Sequence, residues 1–163
     1  PQDDDYVGTA ADESFVGGAG ADRLAGGGGA DVLYGGRDDD VLEIPDAAFF
    51  VIDGGTGFDT LRLDGVGIEL DLTTIADDAL RSVEAIDLTG TGSNGLVITH
   101  RDIRGLSDTH VLTIDGDEDD QAVVVLTDGG FIDVGTSGGY DVYDNGIDTV
   151  RIAIAVDATV VGL

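Results

Sequence analysis

Among 163 residues the sequence has no cysteine, no lysine, no methionine and no tryptophan, and it has two prolines. Without cysteine there can be no disulfide, no zinc–thiolate site and no thiol catalysis, and the redox compartment stays open. No run of about 18 apolar residues occurs, so no segment reads as a membrane-spanning helix. Positive charge is also scarce: seven Arg face 34 Asp and Glu, a formal net charge of −27. Such a chain repels nucleic acid and anionic lipid, so neither is an expected partner. His100 and His110 are the two histidines. No HExxH, GxSxG or phosphate-loop pattern accompanies them, so both read as surface or turn residues and the chain as non-enzymatic. Residues 115–126 open like a calcium-binding helix–loop–helix. However, Asp120 stands where that loop needs Gly and Leu126 where it needs Glu, so the reading fails.

What is abundant is glycine, and it is periodic. Residues 17–25 (GGAGADRLA), 26–34 (GGGGADVLY) and 35–43 (GGRDDDVLE) repeat every nine residues, with Gly at positions 1 and 2, Asp at 6 and Leu at 8. Position 8 sends one apolar side chain inward per short strand. The glycines allow the positive φ of a tight turn. The Asp adds a hard anionic oxygen beside turn carbonyls, the donor set calcium prefers. The register extends upstream to residues 8–16 (GTAADESFV), with Asp12 and Glu13 near position 6. Downstream it reaches residues 54–62 (GGTGFDTLR), with Asp59 and Leu61 in place. Between them, residues 44–53 carry Pro45 and lack glycine until Gly54, which reads as a degenerate or bulged coil.

The chain is long enough for one domain with a real core. Mean hydropathy is positive, and the acids recur at one repeat position instead of in blocks, which argues against disorder. Bound cations are the expected counter-charge, so removing calcium should weaken or abolish the fold. Residues 1–62 read as the glycine-rich roll and 63–163 as a β-rich continuation or cap. Strands are expected at 60–63, 68–72, 83–88, 96–99, 110–114, 122–126, 131–134, 140–143 and 149–156, with helical turns at 75–82 and 100–106. Worn repeats recur at 89–97, with Asn94 in the Asp place, and at 115–123, with Asp120. Either they continue the same coils with wider loops, or they are turns of a separate β-sandwich. The aromatics Phe49, Phe50, Phe131, Tyr140 and Tyr143 are expected in the core or cap.

The nonapeptides over residues 8–62 resemble the calcium-binding β-roll of RTX (repeats-in-toxin) proteins. From Ile52 onward (IDGGTGFDTLRLDG, then VEAIDLTGTG) the chain is similar to the carboxy-terminal region of large RTX adhesins. The resemblance implies an all-β fold, a parallel β-roll or β-solenoid, with eighteen residues per coil and consecutive nonapeptides on opposite edges. It implies about three or more calcium ions, held by position-6 carboxylates and turn carbonyls. On one edge these are Gly17, Gly18, Ala19, Gly20 and Asp22, then Gly35, Arg37, Asp38 and Asp40, then Gly54, Thr56, Gly57 and Asp59. One ion would lie between Asp22 and Asp40 and another between Asp40 and Asp59. On the other edge, Gly8, Ala10, Asp12 and Glu13 face Gly26, Gly27, Gly28, Gly29 and Asp31. Arg37-Asp38 departs from the pattern, with a Cβ where Gly is usual.

The same resemblance implies a secreted or cell-surface protein exported by type I secretion machinery, with a surface ligand or self-association as further partners. Two alternatives are the folding module of an RTX enzyme (protease, lipase or alginate epimerase) and a subunit of a surface layer or fibre. No signal peptide opens the chain, which begins on Pro1, so a fragment or processed product is expected.

Overall fold

The computed structural model describes residues 2–153 and 155–163. Pro1, and Ile154 within the expected strand 149–156, lie outside the described residues. The first seven strands are short: β1 (Asp5–Val7), β2 (Ser14–Val16), β3 (Arg23–Ala25), β4 (Val32–Arg37), β5 (Val41–Ile44), β6 (Val51–Thr56) and β7 (Thr60–Leu63). They alternate between two sheets. Odd-numbered strands pair in parallel in one and even-numbered strands in the other. The registers are Leu24 beside Leu42 beside Leu61, and Phe15 beside Leu33 beside Ile52. A three-residue strand has no stability of its own. β3 to β7 are held because each sends a position-8 side chain into a common core, where Leu24, Leu33, Leu42, Ile52 and Leu61 are fully buried, while in β1 and β2 Tyr6 and Phe15 stack on each other at the open end. At about 1.5–3 kcal/mol for each aliphatic side chain buried, this row is the main cohesive force between coils.

From β7 the first sheet runs on in parallel through β10 (Ala85–Asp87) to β12 (Val111–Asp115) and β16 (Thr149–Ala153). A third, all-parallel sheet begins with β8 (Glu69–Asp71) and adds β11 (Gly95–Thr99), β13 (Gln121–Val125) and β17 (Asp157–Val161). Leu63, Leu70 and Ile86 belong to the same apolar cluster as Leu24, Leu42 and Leu61. The second sheet ends at β9 (Leu80–Arg81), and the next circuit places helix α1 (His100–Leu106) against it, burying Ile103 and Leu106. Asp102 fixes the start of α1 by accepting the Thr99 N–H and hydroxyl, both at 2.8 Å. No helix among the described residues is long and apolar enough to cross a membrane.

Three expectations need correcting. Residues 75–82 are not a helical turn. A 3-10 turn forms earlier, at Leu72–Thr74, because Asp71 Oδ1 accepts the Thr73 N–H at 3.0 Å. Leu80 is then drawn into a strand beside Ile52, where its side chain is buried. The parallel order also fails near the end. β14 (Ile132–Ser137) and β15 (Tyr140–Asp144) form an antiparallel hairpin on β16, so the nine-stranded sheet is mixed. Gly138 and Gly139, both at positive φ, make the tight return. Finally, Phe50 is 66% exposed, while Phe131 is buried and Phe49 and Tyr143 pack on the core.

Candidate metal centre

Each repeat turn ends at its position-6 acid, and successive coils stack these acids into rungs. On the first edge the rungs are Asp4, Asp22, Asp40, Asp59 and Glu84. Asp22 Oδ1 accepts the Asp4 N–H at 2.7 Å, and Asp40 Oδ1 accepts the Asp22 N–H at 2.8 Å. Asp59 Oδ1 takes the Asp40 N–H at 2.9 Å, and Glu84 Oε2 the Asp59 N–H at 3.0 Å. One oxygen of each carboxylate therefore holds neighbouring coils in register. The other is left over. Asp22 Oδ2, Asp40 Oδ2 and Asp59 Oδ2 are buried with no hydrogen-bond partner, in residues only 2%, 1% and 0% exposed.

An unpartnered buried carboxylate oxygen costs roughly 1–3 kcal/mol or more, and three in a row form a concentrated anionic site. Burial, with the charges of Asp22, Asp38 and Asp39, pushes the Asp40 carboxyl up to about 6. Burial, with Asp40, Glu84 and Asp39, pushes Asp59 up to about 7. The left-over oxygens face glycines. A Cβ on Gly17 would collide with Asp22 Oδ2 and the Gly35 carbonyl, and one on Gly35 with Asp40 Oδ2 and the Gly54 carbonyl. Gly36, at φ 122°, lies against the Gly18 carbonyl, so the turns stack backbone to backbone. Asp38 adopts φ 73° despite its side chain, which accepts the Gly20 N–H at 3.2 Å.

The remaining expected positions fall in the same turns but differ in what they offer. The carbonyls of Ala19 and Arg37 already accept the N–H groups of Gln2 (3.0 Å) and Gly20 (3.3 Å). Thr56 pairs with Arg37 across the strands, and Gly57 stacks on the Asp38 carbonyl. On the second edge, Asp31 Oδ1 accepts the Glu13 N–H at 2.9 Å, and its Oδ2 lies against Gly26. Burial raises the Asp31 pKa. Asp12 and Glu13 are partly spent: Asp12 takes the Ala30 N–H at 2.8 Å, and Glu13 takes the Thr9 N–H at 3.0 Å and the Thr9 hydroxyl. Gly8 lies against the Gly26 carbonyl, Gly27 against Thr9 and Gly29 against Ala11, Gly28 faces Asp46, and Ala10 sits in the bend before Asp12. Phe50 follows Asp31 in register, so no carboxylate takes the rung position at the next coil.

In the second half the rung atoms find protein partners. Asn94 Oδ1 accepts the Ile68 N–H at 2.9 Å, and Asn94 Nδ2 donates to the Leu88 carbonyl at 2.9 Å. Asp120 Oδ1 takes the Asn94 N–H at 2.9 Å, and its Oδ2 takes the Asp117 N–H at 2.8 Å. The buried Asp148 pairs with His110 at 3.0 Å and Arg104 at 3.3 Å. Sequence reasoning missed the rungs Asp4 and Glu84. Both carry the signal of an acid two residues before an apolar or aromatic strand residue, Asp4 before Tyr6 and Glu84 before Ile86, without the glycines that mark a repeat.

Among the described residues no three Asp, Glu or His side chains gather as a metal site. Side chains stacked in pairs must therefore be supplemented by turn carbonyls. The donors on offer are oxygens only, anionic and irregular, and they fit a calcium ion. Comparison with known families agrees in type: residues 7–42 match the family model of the RTX calcium-binding nonapeptide repeat (4 copies). Neither the curated proteins nor the solved structures yield a match.

Proposed function

We propose that the chain is the calcium-binding module of a secreted RTX protein, a β-roll whose folding is coupled to calcium uptake. The observation that carries this reading is the file of three buried, unpartnered carboxylate oxygens on Asp22, Asp40 and Asp59. Asp22 and Asp40 would hold one ion and Asp40 and Asp59 a second, with a third at Asp31, and glycine-turn carbonyls would complete each set. When bound, calcium supplies the positive charge that the stacked carboxylates lack. The chain supplies the rest. Its rungs keep the coils in register through Oδ1, its glycines let carbonyls and carboxylates approach, and its leucine row closes the core.

Without the ion, the same rungs repel one another and oppose closure of the coils. That behaviour suits a chain exported unfolded by type I machinery and folded outside the cell, as part of a larger, adhesin-like surface or secreted protein. We read residues 1–62 as the roll and 63–163 as its cap, a division the shared apolar cluster favours. The module is read as non-enzymatic. His110 is engaged with Asp148, and the Ser107 hydroxyl donates to the Val111 carbonyl, so neither is set up as a nucleophile–base pair.

The test is circular dichroism with calorimetric titration of the chelated full chain. β-structure gained in millimolar calcium, with magnesium a poor substitute, is the expected result. An identical spectrum with and without calcium overturns the reading.

A further inference from the structure

We propose that the Asp59 turn holds a cation site of its own, closed from the next coil by the Ser82 carbonyl and the Glu84 carboxylate. This inference rests on the calcium-binding reading above and adds a site outside the nonapeptides. The register carries it. Gly17, Gly35 and Gly54 stack as the first residue of successive turns, and the pairing of Ile52 with Leu80 and Asp53 with Arg81 puts Ser82 next in that file. The carbonyl that hems Gly17 is that of Gly35, and for Gly35 it is that of Gly54. At Gly54 it is that of Ser82. Ser82 takes φ 53°, a left-handed conformation uncommon for a residue with a side chain.

The acid rung continues in step. Glu84 is 2% exposed, and its Oε2 accepts the Asp59 N–H just as Asp59 accepts that of Asp40. Here Ser82 and Glu84 are two residues apart, whereas Gly54 and Asp59 are five apart. The extra methylene of Glu spans the gap that the shorter turn leaves. Asp59 Oδ2 is fully buried and without a partner, and the Asp59 side chain lies against Gly54, which the Ser82 carbonyl hems from the next coil. Glu84 Oε1 is only weakly engaged, by the Asp108 N–H at 3.3 Å. A divalent cation with a taste for hard oxygen, calcium above all, fits this set of one carbonyl and two carboxylates with the carbonyls of the Asp59 turn.

The experiment counts ions on the full chain by native mass spectrometry at saturating calcium. Glu84→Gln keeps an oxygen for the Asp59 N–H and removes the charge, so it should carry one ion fewer than the unmutated protein. Asp77→Asn should carry the same number. An unchanged count in folded Glu84→Gln overturns this site alone, whereas no bound calcium in the unmutated protein overturns the calcium reading itself. Terbium-soaked crystals of the unmutated chain decide the case even if Glu84→Gln does not fold. An anomalous peak within coordinating distance of the Ser82 carbonyl supports the site. Peaks at the Asp22–Asp40, Asp40–Asp59 or Asp31 sites with none at the Ser82 carbonyl overturn it.

Discussion

The two halves of the molecule use the same ladder and settle its charge differently. In the first half, coils advance by 18 or 19 residues, and each of three Asp rungs leaves one oxygen without a donor. In the second half, coils advance by 26 to 38 residues, as in Asn94 to Asp120 and His110 to Asp148, and the extra length brings donors. Asn94 has its own amide group, Asp120 has the Asp117 N–H, and Asp148 has an arginine and a histidine. Short coils stack tightly but cannot reach their own charge. Long coils can, and they give up strict repetition to do so. A solenoid-like ladder can thus be completed by an external ion or by internal donors, and coil length separates the two solutions.

Chelation should break this comparison most visibly. In chelator, amide exchange over residues 17–62 should approach that of an open chain, while β11, β12 and β13 keep measurable protection. Uniform exchange along the whole chain would show that the internal donors of the second half give it no independence. Calcium should restore protection to both halves.

Substitution of the rungs should come next in size. Asp40 is assigned to two intervals, so Asp40→Ala should raise the calcium midpoint of folding more than Asp22→Ala does, by roughly tenfold or more if one further ion contact is worth about 1.4 kcal/mol. A rise as large for Asp77→Ala, off the ladder, would mean that the stacking assignment is wrong. Midpoints from calcium titrations followed by circular dichroism provide the comparison.

Acid should act on the first half in the opposite sense to ordinary acid denaturation. The Asp40 and Asp59 carboxyls sit at about 6 and about 7 in the metal-free fold, against about 3.9 in an unfolded chain. The folded state therefore binds more protons. Its stability is lost as the pH climbs from about 4 through 7, and regained as the pH falls. In chelator the melting temperature should be higher at pH 5 than at pH 8. In calcium the order should reverse, because the ion needs the deprotonated oxygens. A chelated melting temperature that rises with pH would contradict the burial of these rungs.

The smallest expected effect converts one solution toward the other. Asn94→Asp removes the bond to the Leu88 carbonyl and leaves a left-over oxygen next to Gly90, where an added Cβ would meet Asn94 Nδ2. A loss of about 1–3 kcal/mol in chelator is expected. Partial recovery in millimolar calcium, measured by denaturant melts, would sharpen the equivalence of the two halves.

Much of this was legible in the sequence, because nine-residue spacing sets Asp22 and Asp40, and Leu24 and Leu42, one 18-residue coil apart, and the full repeat at Gly54 returns Asp59 and Leu61 to the same files after 19. Asn94 and Asp120 could also be placed from their worn repeats. Ser82 and Glu84 could not, since a turn three residues shorter erases the period, and register alone identifies them. The 3-10 turn at Leu72–Thr74 depends on a single side-chain cap from Asp71, which competes with the apolar pull on Leu80. The hairpin of β14 and β15 was readable as two strands. Its antiparallel sense is set by the Gly138-Gly139 return, which no repeat pattern announces.

The parallel stacking of coils in chain order has a mechanical consequence. Neighbouring coils are also neighbours in sequence, so tension on the two ends peels outer coils before inner ones. An 18-residue coil pulled free pays out on the order of 60 Å of chain, and the longest later circuit about twice that. Force on the amino-terminal end would therefore be answered by a run of short, even steps. Force reaching the carboxy-terminal end would meet longer and uneven ones.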